Sequence, residues 1–415
     1  MREVVTGRGG KGIRALAVPA LVVLVLVLAA PASASSSPAP VAPAPAVQAS
    51  PAATALSCSL SQSSVAFGDQ VTVTGALTPA AGGEVVDVTL GGARVGQATV
   101  DTAGAYAFTF APRSGGDIVV ALDADPTVVG GPQALAVKPA VAVTHGALVP
   151  FLAAPVVVRI APAAYDGLVV VTVAHRGAVA GTYKAHASNG KATVRVPFRG
   201  VDGFVVSVAL PAAAGLDART VSTKVSVRAR TLSIGSSGPY VKGMLTALAG
   251  LRFRVPDLGT HFTAQVKDSV VAFQKAYGLS RSYVFSTACW RKADGARLIR
   301  PRHVSPGTHL EVDKGRQIGM VVRDGKPYGI ICVSTGATGN TPEGTFHIRQ
   351  KSSFTTSGYG GILVRTMGFI GNFAMHGYAP VPPYPASHGC VREPIWASYW
   401  MYDQSWVGET LYIYH

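Results

Sequence analysis

Eight short runs between residues 70 and 229 alternate apolar and polar residues with a period of two, and beyond Leu232 that period gives way to another. QVTVTGAL (70–77), EVVDVTL (84–90), AYAFTFAP (105–112) and DIVVALDAD (117–125) form a first set. LVVVTVA (168–174), ATVRVPF (192–198), FVVSVAL (204–210) and TKVSVRA (223–229) form a second. Successive side chains of a strand point to opposite faces, so each run has one face to bury and needs a packed sheet partner. Glycine pairs at 82–83, 91–92 and 115–116 punctuate the first set as turns. The pattern predicts a mainly β, multidomain chain that includes two small Ig-like β-sandwiches, over 57–138 and 140–229. Neither set holds a cluster of catalytic residue types, and both are read as spacers or supports.

Past Leu232 the apolar spacing becomes helical. Val241, Leu245, Leu248 and Leu251 share one helical face, as do Val266, Val270, Phe273 and Tyr277, with Gly278 as a natural stop. A third short helix fits STACWRKADG, from a Ser286 N-cap to Gly295. Residues 305–415 then return to strands and loops, with Asp324-Gly325 as a hairpin turn between two apolar runs. One helix is expected here, starting near Pro394.

The N-terminus reads as an export signal. Arg2, Arg8, Lys11 and Arg14 precede an apolar core over 15–30, and PASA at 31–34 offers small residues for cleavage after Ala34. An uncleaved anchor is the alternative; the apolar run is short of the ~20 residues that span a bilayer. Residues 35–56 are rich in Pro and Ala, which marks a linker. The net charge of +15 is uneven: residues 226–330 hold 17 Lys/Arg against 6 Asp/Glu, while 35–225 and 331–415 nearly balance. On an exported chain this basic middle points to a polyanionic cell-wall neighbour rather than nucleic acid.

The chemistry concentrates in 375-MHGYAPVPPYPASHGCVREP-394. A thiol is a weak nucleophile until it becomes a thiolate, and a nearby imidazole is the usual activator. His388 lies two residues before Cys390, so on an extended strand both would point to one face. His376 lies fourteen residues upstream and can reach across a loop. Gly389 allows close backbone approach to a substrate, and Arg392 can hold a carboxylate. One cysteine and two histidines make a poor structural zinc site. A disulfide remains open, because exported cysteines often pair. Spacing alone leaves these alternatives open beside catalysis.

Two resemblances narrow the reading. Leu232, 235-GSSG-238, 272-AFQKAYGL-279 and Trp290 resemble the peptidoglycan-binding three-helix module, placed at 230–295. Its first helix departs from the module's Leu-Gln by carrying Met244-Leu245. His376-Gly377 followed by 387-SHGCVR-392 resembles the signature of YkuD-type L,D-transpeptidases, and 334-STGATGNTPEGTF-346 resembles an upstream segment of the same family. The loop between the two halves of the signature is shorter than the family's commonest form. The resemblance implies a β-rich catalytic domain over 305–415.

It also implies roles. Cys390 is the nucleophile, His376 the general base, and the Gly377 carbonyl orients its ring. His388 supports the site, and Ser387 belongs to its loop. The amides of Gly389 and Cys390 hold the oxyanion, and Arg392 holds the loop or the substrate. Tyr359, Tyr378 and Tyr384 are candidate groove residues. Cys390 must stay free, and of the three remaining cysteines Cys289 and Cys332 are expected to bridge the helical and catalytic units. His303, His309 and His347 are read as structural or solvated.

The function so implied is a secreted, wall-located acyltransferase that cross-links peptidoglycan stem peptides through a cysteine thioester. A donor tetrapeptide and the side-chain amine of a diamino acid are its partners, and carbapenem-type compounds its inhibitors. No cofactor, metal, nucleic acid or, after signal cleavage, membrane is expected. The rival readings are a hydrolase that trims stem peptides and a non-catalytic wall-binding protein.

Overall fold

The computed structural model describes residues 53–213 and 215–415. The signal over 1–34 and most of the linker over 35–56 lie outside the described residues. Among the described residues no helix is long and apolar enough to cross a membrane.

The first set of runs forms two sheets. One joins Ala55–Leu56, Ser59–Leu60, Val71–Thr78 and Ala105–Phe110; the other has five strands, with Gly116–Leu122 between Val85–Leu90 and Asp125–Lys138. Val71 and Val73 from one sheet and Val86, Val88, Ile118 and Val120 from the other are almost wholly buried. The second set likewise forms a three-stranded and a four-stranded sheet, whose inward residues Val156, Val158, Val171, Val206 and Val208 continue the same core. Alternation thus did what the period requires, placing every second side chain inside.

Three helices follow: α1 (Pro239–Gly250), α2 (Ala264–Ala276) and α3 (Thr287–Gly295). Thr263 caps α2 by accepting the Val266 N–H. The helices are fixed to the preceding sheets. Val201 lies in the helical core, and a Cβ on Gly243 would stand 2.3 Å from the Pro150 carbonyl, so only glycine allows α1 this approach. The buried Asp294 carboxylate of α3 meets His175 Nε2 at 2.9 Å and Arg176 at 2.9 Å.

Residues 309–415 form two sheets. The first contains β1 (His309–Asp313), β2 (Ile318–Arg323), β3 (Lys326–Cys332), β4 (Gly344–His347) and β9 (Thr410–Tyr414), in the order β3-β2-β1-β9-β4. The second contains β5 (Gln350–Thr356), β6 (Ile362–Ile370), β7 (Phe373–Gly377) and β8 (Val391–Glu393), in chain order. Helix α4 (Ile395–Asp403) follows β8. Asp324 and Gly325 both have positive φ, 51° and 65°, as a tight β2–β3 hairpin requires.

The first sheet is buried on both faces. Ile318, Met320, Val322, Ile330 and Cys332 pack into the core of the three helices. Val321, Ile331 and Val333 pack with Met367, Phe369, Met375 and Val391 of the second sheet and with Met401 of α4. Burial on two faces explains why β2 reads as a continuous apolar run rather than an alternating one. Each large side chain buried against the helices contributes about 1.5–3 kcal/mol, so the helical and catalytic units share one core.

The expected Cys289–Cys332 bridge is corrected: both cysteines are free and buried. Cys289 Sγ lies 3.7 Å from Gln274 Nε2, whereas Lys275 Nζ donates to the carbonyl of Val333, the residue after Cys332, at 2.8 Å. Gln274 and Lys275 are consecutive in α2 and project about 100° apart.

Candidate active site

Strands β7 and β8 pair in parallel, with Met375 opposite Val391, His376 opposite Arg392 and Gly377 opposite Glu393. Alternation then sorts the side chains. Met375 and Val391 point into the core and are fully buried. His376 and Arg392 point to the other face and, with Cys390, line a cavity of about 500 Å³. The tip of the β5–β6 hairpin, including Thr356, Tyr359 and Leu363, forms the opposite wall.

The cysteine is delivered by the loop of residues 378–390, and residues 334–341 cradle the end of that loop. Ala386 and Ser387 donate their N–H groups to Thr335 O at 2.9 and 3.0 Å. Thr341 Oγ1 donates to Gly389 O at 2.6 Å, and Asn340 Nδ2 to His388 O at 2.9 Å. Ser334 and Arg392 exchange both backbone bonds at 2.9 Å. Lys314 shapes the cradle from beneath, donating to Thr341 O at 2.7 Å and Gly339 O at 3.0 Å. Gly389 has φ +135°, and a Cβ there would stand 2.6 Å from the Phe373 ring, so no side chain fits.

Ser387 is buried and closes the turn on itself. Its hydroxyl donates to Cys390 O at 2.5 Å and accepts the Gly389 N–H at 3.0 Å. In the resting loop the Gly389 N–H, expected to serve the oxyanion, is held by Ser387. Residues 388–390 form bends, not the extended strand expected. His388 lines the same cavity as Cys390. It is exposed and lies flat against Tyr359, ring centroids 4.1 Å apart and planes 9° from parallel.

His376 is buried, and its Nδ1 lies 3.4 Å from Gly377 O. With the Nδ1 proton on that carbonyl, Nε2 is left as an acceptor. Burial pushes the imidazole pKa down to about 4, with Gly377 O opposing the shift and Arg392 adding to it. Burial raises the Cys390 thiol above its ordinary value, against the Ala374 N–H and Arg392. The two shifts oppose ion-pair formation, so the resting pair is neutral thiol and neutral imidazole at pH 7. The Cys390 Sγ–H points toward Asn372 O at 3.7 Å. Such a pair can perform nucleophilic acyl transfer in which the proton moves as the sulfur attacks.

The other expected residues divide. Tyr378 lines the cavity with the Arg392 guanidinium over its ring at 5.0 Å, and Tyr359 lines it from the hairpin. Tyr384 is outside it, exposed, with only its carbonyl engaged by Ser334 Oγ at 2.8 Å. His309 is buried against Pro306 O and Glu311, His303 stacks on Tyr412, and His347 bonds Gly408 O at the surface. Asn340, Thr341, Asn372 and Phe373 were not singled out from sequence; the first two sit inside the Thr-Pro segment that was. Among the described residues no group of three His, Cys, Asp or Glu is placed to hold a metal.

The family model of the YkuD L,D-transpeptidase catalytic domain matches residues 307–413. Among solved structures, the L,D-transpeptidase (residues 123–326) of Xylanimonas cellulosilytica is 31% identical, covering 45% of this chain and 98% of that one, with a TM-score of 0.42. The L,D-transpeptidase of Stackebrandtia nassauensis is 25% identical over 44% of this chain and 95% of that one, TM-score 0.30. The L,D-transpeptidase LdtMt1 in complex with imipenem is 13% identical over 67% and 99%, TM-score 0.25. No curated protein matches the chain. Residues 307–413 are thus an acyl-transfer type of catalytic domain by family, and through them the chain belongs to the YkuD L,D-transpeptidases.

Proposed function

We propose that the protein is an exported enzyme that joins peptidoglycan stem peptides through a thioester on Cys390. The observation that carries this reading is the parallel register of β7 and β8, which sets His376, Arg392 and Cys390 on one wall of a single cavity. Cys390 Sγ attacks the carbonyl that precedes the terminal D-residue of a donor tetrapeptide as His376 Nε2 takes the thiol proton. The C–N bond breaks, the leaving amine receives that proton, and a tripeptidyl thioester remains. A neighbouring stem's side-chain amine then attacks the thioester, gives a proton to His376, and releases the thiol as an amide forms. Burial raises the pKa of the thiol, and Arg392 opposes that rise and so favours the anionic form.

In this reading the sheets over 57–138 and 140–229 are Ig-like spacers. The three helices are a peptidoglycan-binding module that raises the local concentration of stems. Water competes with the amine for the thioester, so transfer requires a held acceptor and a sheltered sulfur. The hairpin tip and the His388–Tyr359 stack support such shelter. Incubation with purified tetrapeptide muropeptides should yield dimers linked between third residues, read by mass spectrometry. Tripeptides and free D-residue alone, even at high acceptor concentration, would establish a hydrolase instead. Carbapenem-type β-lactams should acylate Cys390 in the same pocket.

A further inference from the structure

The loop that delivers Cys390 contains Pro380, Pro382, Pro383 and Pro385. Proline has no N–H, so this stretch can be fastened chiefly by its carbonyls. Three consecutive carbonyls each receive a donor. Pro382 O lies 3.5 Å from Lys275 Nζ, Pro383 O accepts from the Arg281 guanidinium at 2.5 Å, and Tyr384 O accepts from Ser334 Oγ. The last of these donors belongs to the catalytic unit. The first two do not: Lys275 is in α2, and Arg281 follows it.

Lys275 does more than touch the loop. Its ammonium donates to Val333 O at 2.8 Å, the residue just before the cradle of 334–341. One buried cation therefore joins α2 both to the loop and to the strand end from which the cradle springs. Burial pushes its pKa down to about 8, which leaves it protonated at pH 7. Val381 packs against the helical core beside it. Seven residues earlier on the same side of α2, Asp268 accepts from Trp396 Nε1 of α4 at 3.1 Å. The helix thus grips the chain on both sides of β8.

We propose that Lys275 and Arg281 are positioning residues for the catalytic loop, so that the helical unit is a working part of the active-site scaffold as well as a neighbour of it. By fixing the carbonyls of Pro382 and Pro383 they fix the path into Ser387–Cys390, and so the placement of the sulfur relative to His376. The inference rests on the proposed reaction only for what the loop positions, not for the fastening itself.

The test uses the full chain with Lys275→Met, Arg281→Met and Lys275→Arg. Arg281 is partly exposed, so its variant should fold even if Lys275→Met does not. Hydrogen exchange at the amides of 386–390 and the rate of Cys390 acylation by imipenem are measured well below each melting temperature. Exchange should quicken about tenfold as the loop opens locally, and acylation should slow about tenfold, since displacement near 1 Å can cost up to about a hundredfold. Lys275→Arg, which keeps a charged donor, should recover part of both. Loop exchange or acylation within about twofold of wild type in folded Arg281→Met overturns the proposal. If the variants' loops loosen but the wild-type protein is itself never acylated, the fastening stands and the transpeptidase reading falls.

Discussion

His376 and Arg392 face each other across two parallel strands, and burial, with the arginine adding to it, holds the histidine in its neutral form. The same guanidinium opposes the burial that keeps the Cys390 thiol protonated. Its two influences differ: it favours a sulfur that can lose its proton and disfavours the arrival of that proton on the imidazole. Cys390→Ala should abolish acylation by carbapenems and all turnover, and His376→Ala should remove nearly all. Because the two act as one unit, the double variant should be little worse than either single variant. Intact-protein mass and single-turnover rates check this; an adduct on Cys390→Ala would sink the assignment of the nucleophile.

The acid limb of activity should lie low. His376 has a folded pKa of about 4 against an ordinary 6.5, so it stays a competent base well below pH 6. Its contribution to stability runs the same way. Above pH 6.5 that contribution is fully present, and it is lost as pH falls toward 4, where the unfolded chain binds a proton that the buried ring refuses. A pH profile of kcat/KM for acylation that halves near pH 6.5 would show that the ring is not so shielded.

Thiol titration separates the four cysteines. Cys58, Cys289 and Cys332 are buried and free, and Cys390 is partly accessible. Burial pushes Cys332 up to about 12, which removes its thiolate at neutral pH. The native protein should react at one thiol and the denatured, unreduced protein at four. A count of two after denaturation would mean that a pair is bridged.

Glu393 is wholly buried next to Arg392 in sequence, and neither carboxylate oxygen has a partner. Desolvation raises its pKa to about 8. A raised acid is fully compatible with folding below its unfolded pKa near 4.5; stability is then lost as pH rises through about 8, as the unfolded chain ionises first. Glu393→Gln removes the ionisation. The variant's melting temperature should be flatter than wild type between pH 5 and 8 and higher at pH 8. A parallel pair of curves would show that Glu393 finds a partner in solution.

The mainly β character, the run of three helices and the single helix after Pro394 were legible in the sequence, because their periods are local. The strands Ala93–Thr99, Ala153–Ala161 and Ala178–His186 were not. The first and last are mostly exposed or half-buried and lack a clean apolar face, and the middle one carries a proline. At the site, residue types left several chemistries open and the family resemblance singled out Cys390 and His376, which line one cavity with His388; period-two reasoning expected residues 388–390 to be extended, and they bend. Gly389 breaks the extended path, and only the cradle of Thr335, Asn340 and Thr341 decides where the bend goes. Lys275 was unreadable for a related reason. A lysine four residues after Val271 looks like surface, and its burial depends on a loop more than a hundred residues away.

Asp294 joins His175, Arg176 and the Val201 N–H at the seam between the second pair of sheets and the helices. A hinge needs a stretch whose torsions can change without breaking buried bonds, and this seam spans a sealed carboxylate, a shared core and the close fit of Gly243 on Pro150. The catalytic cavity is thus carried on a boom rather than a leash. The seam holds the bearing of that cavity from the preceding sheets, and loosening it would blur that bearing.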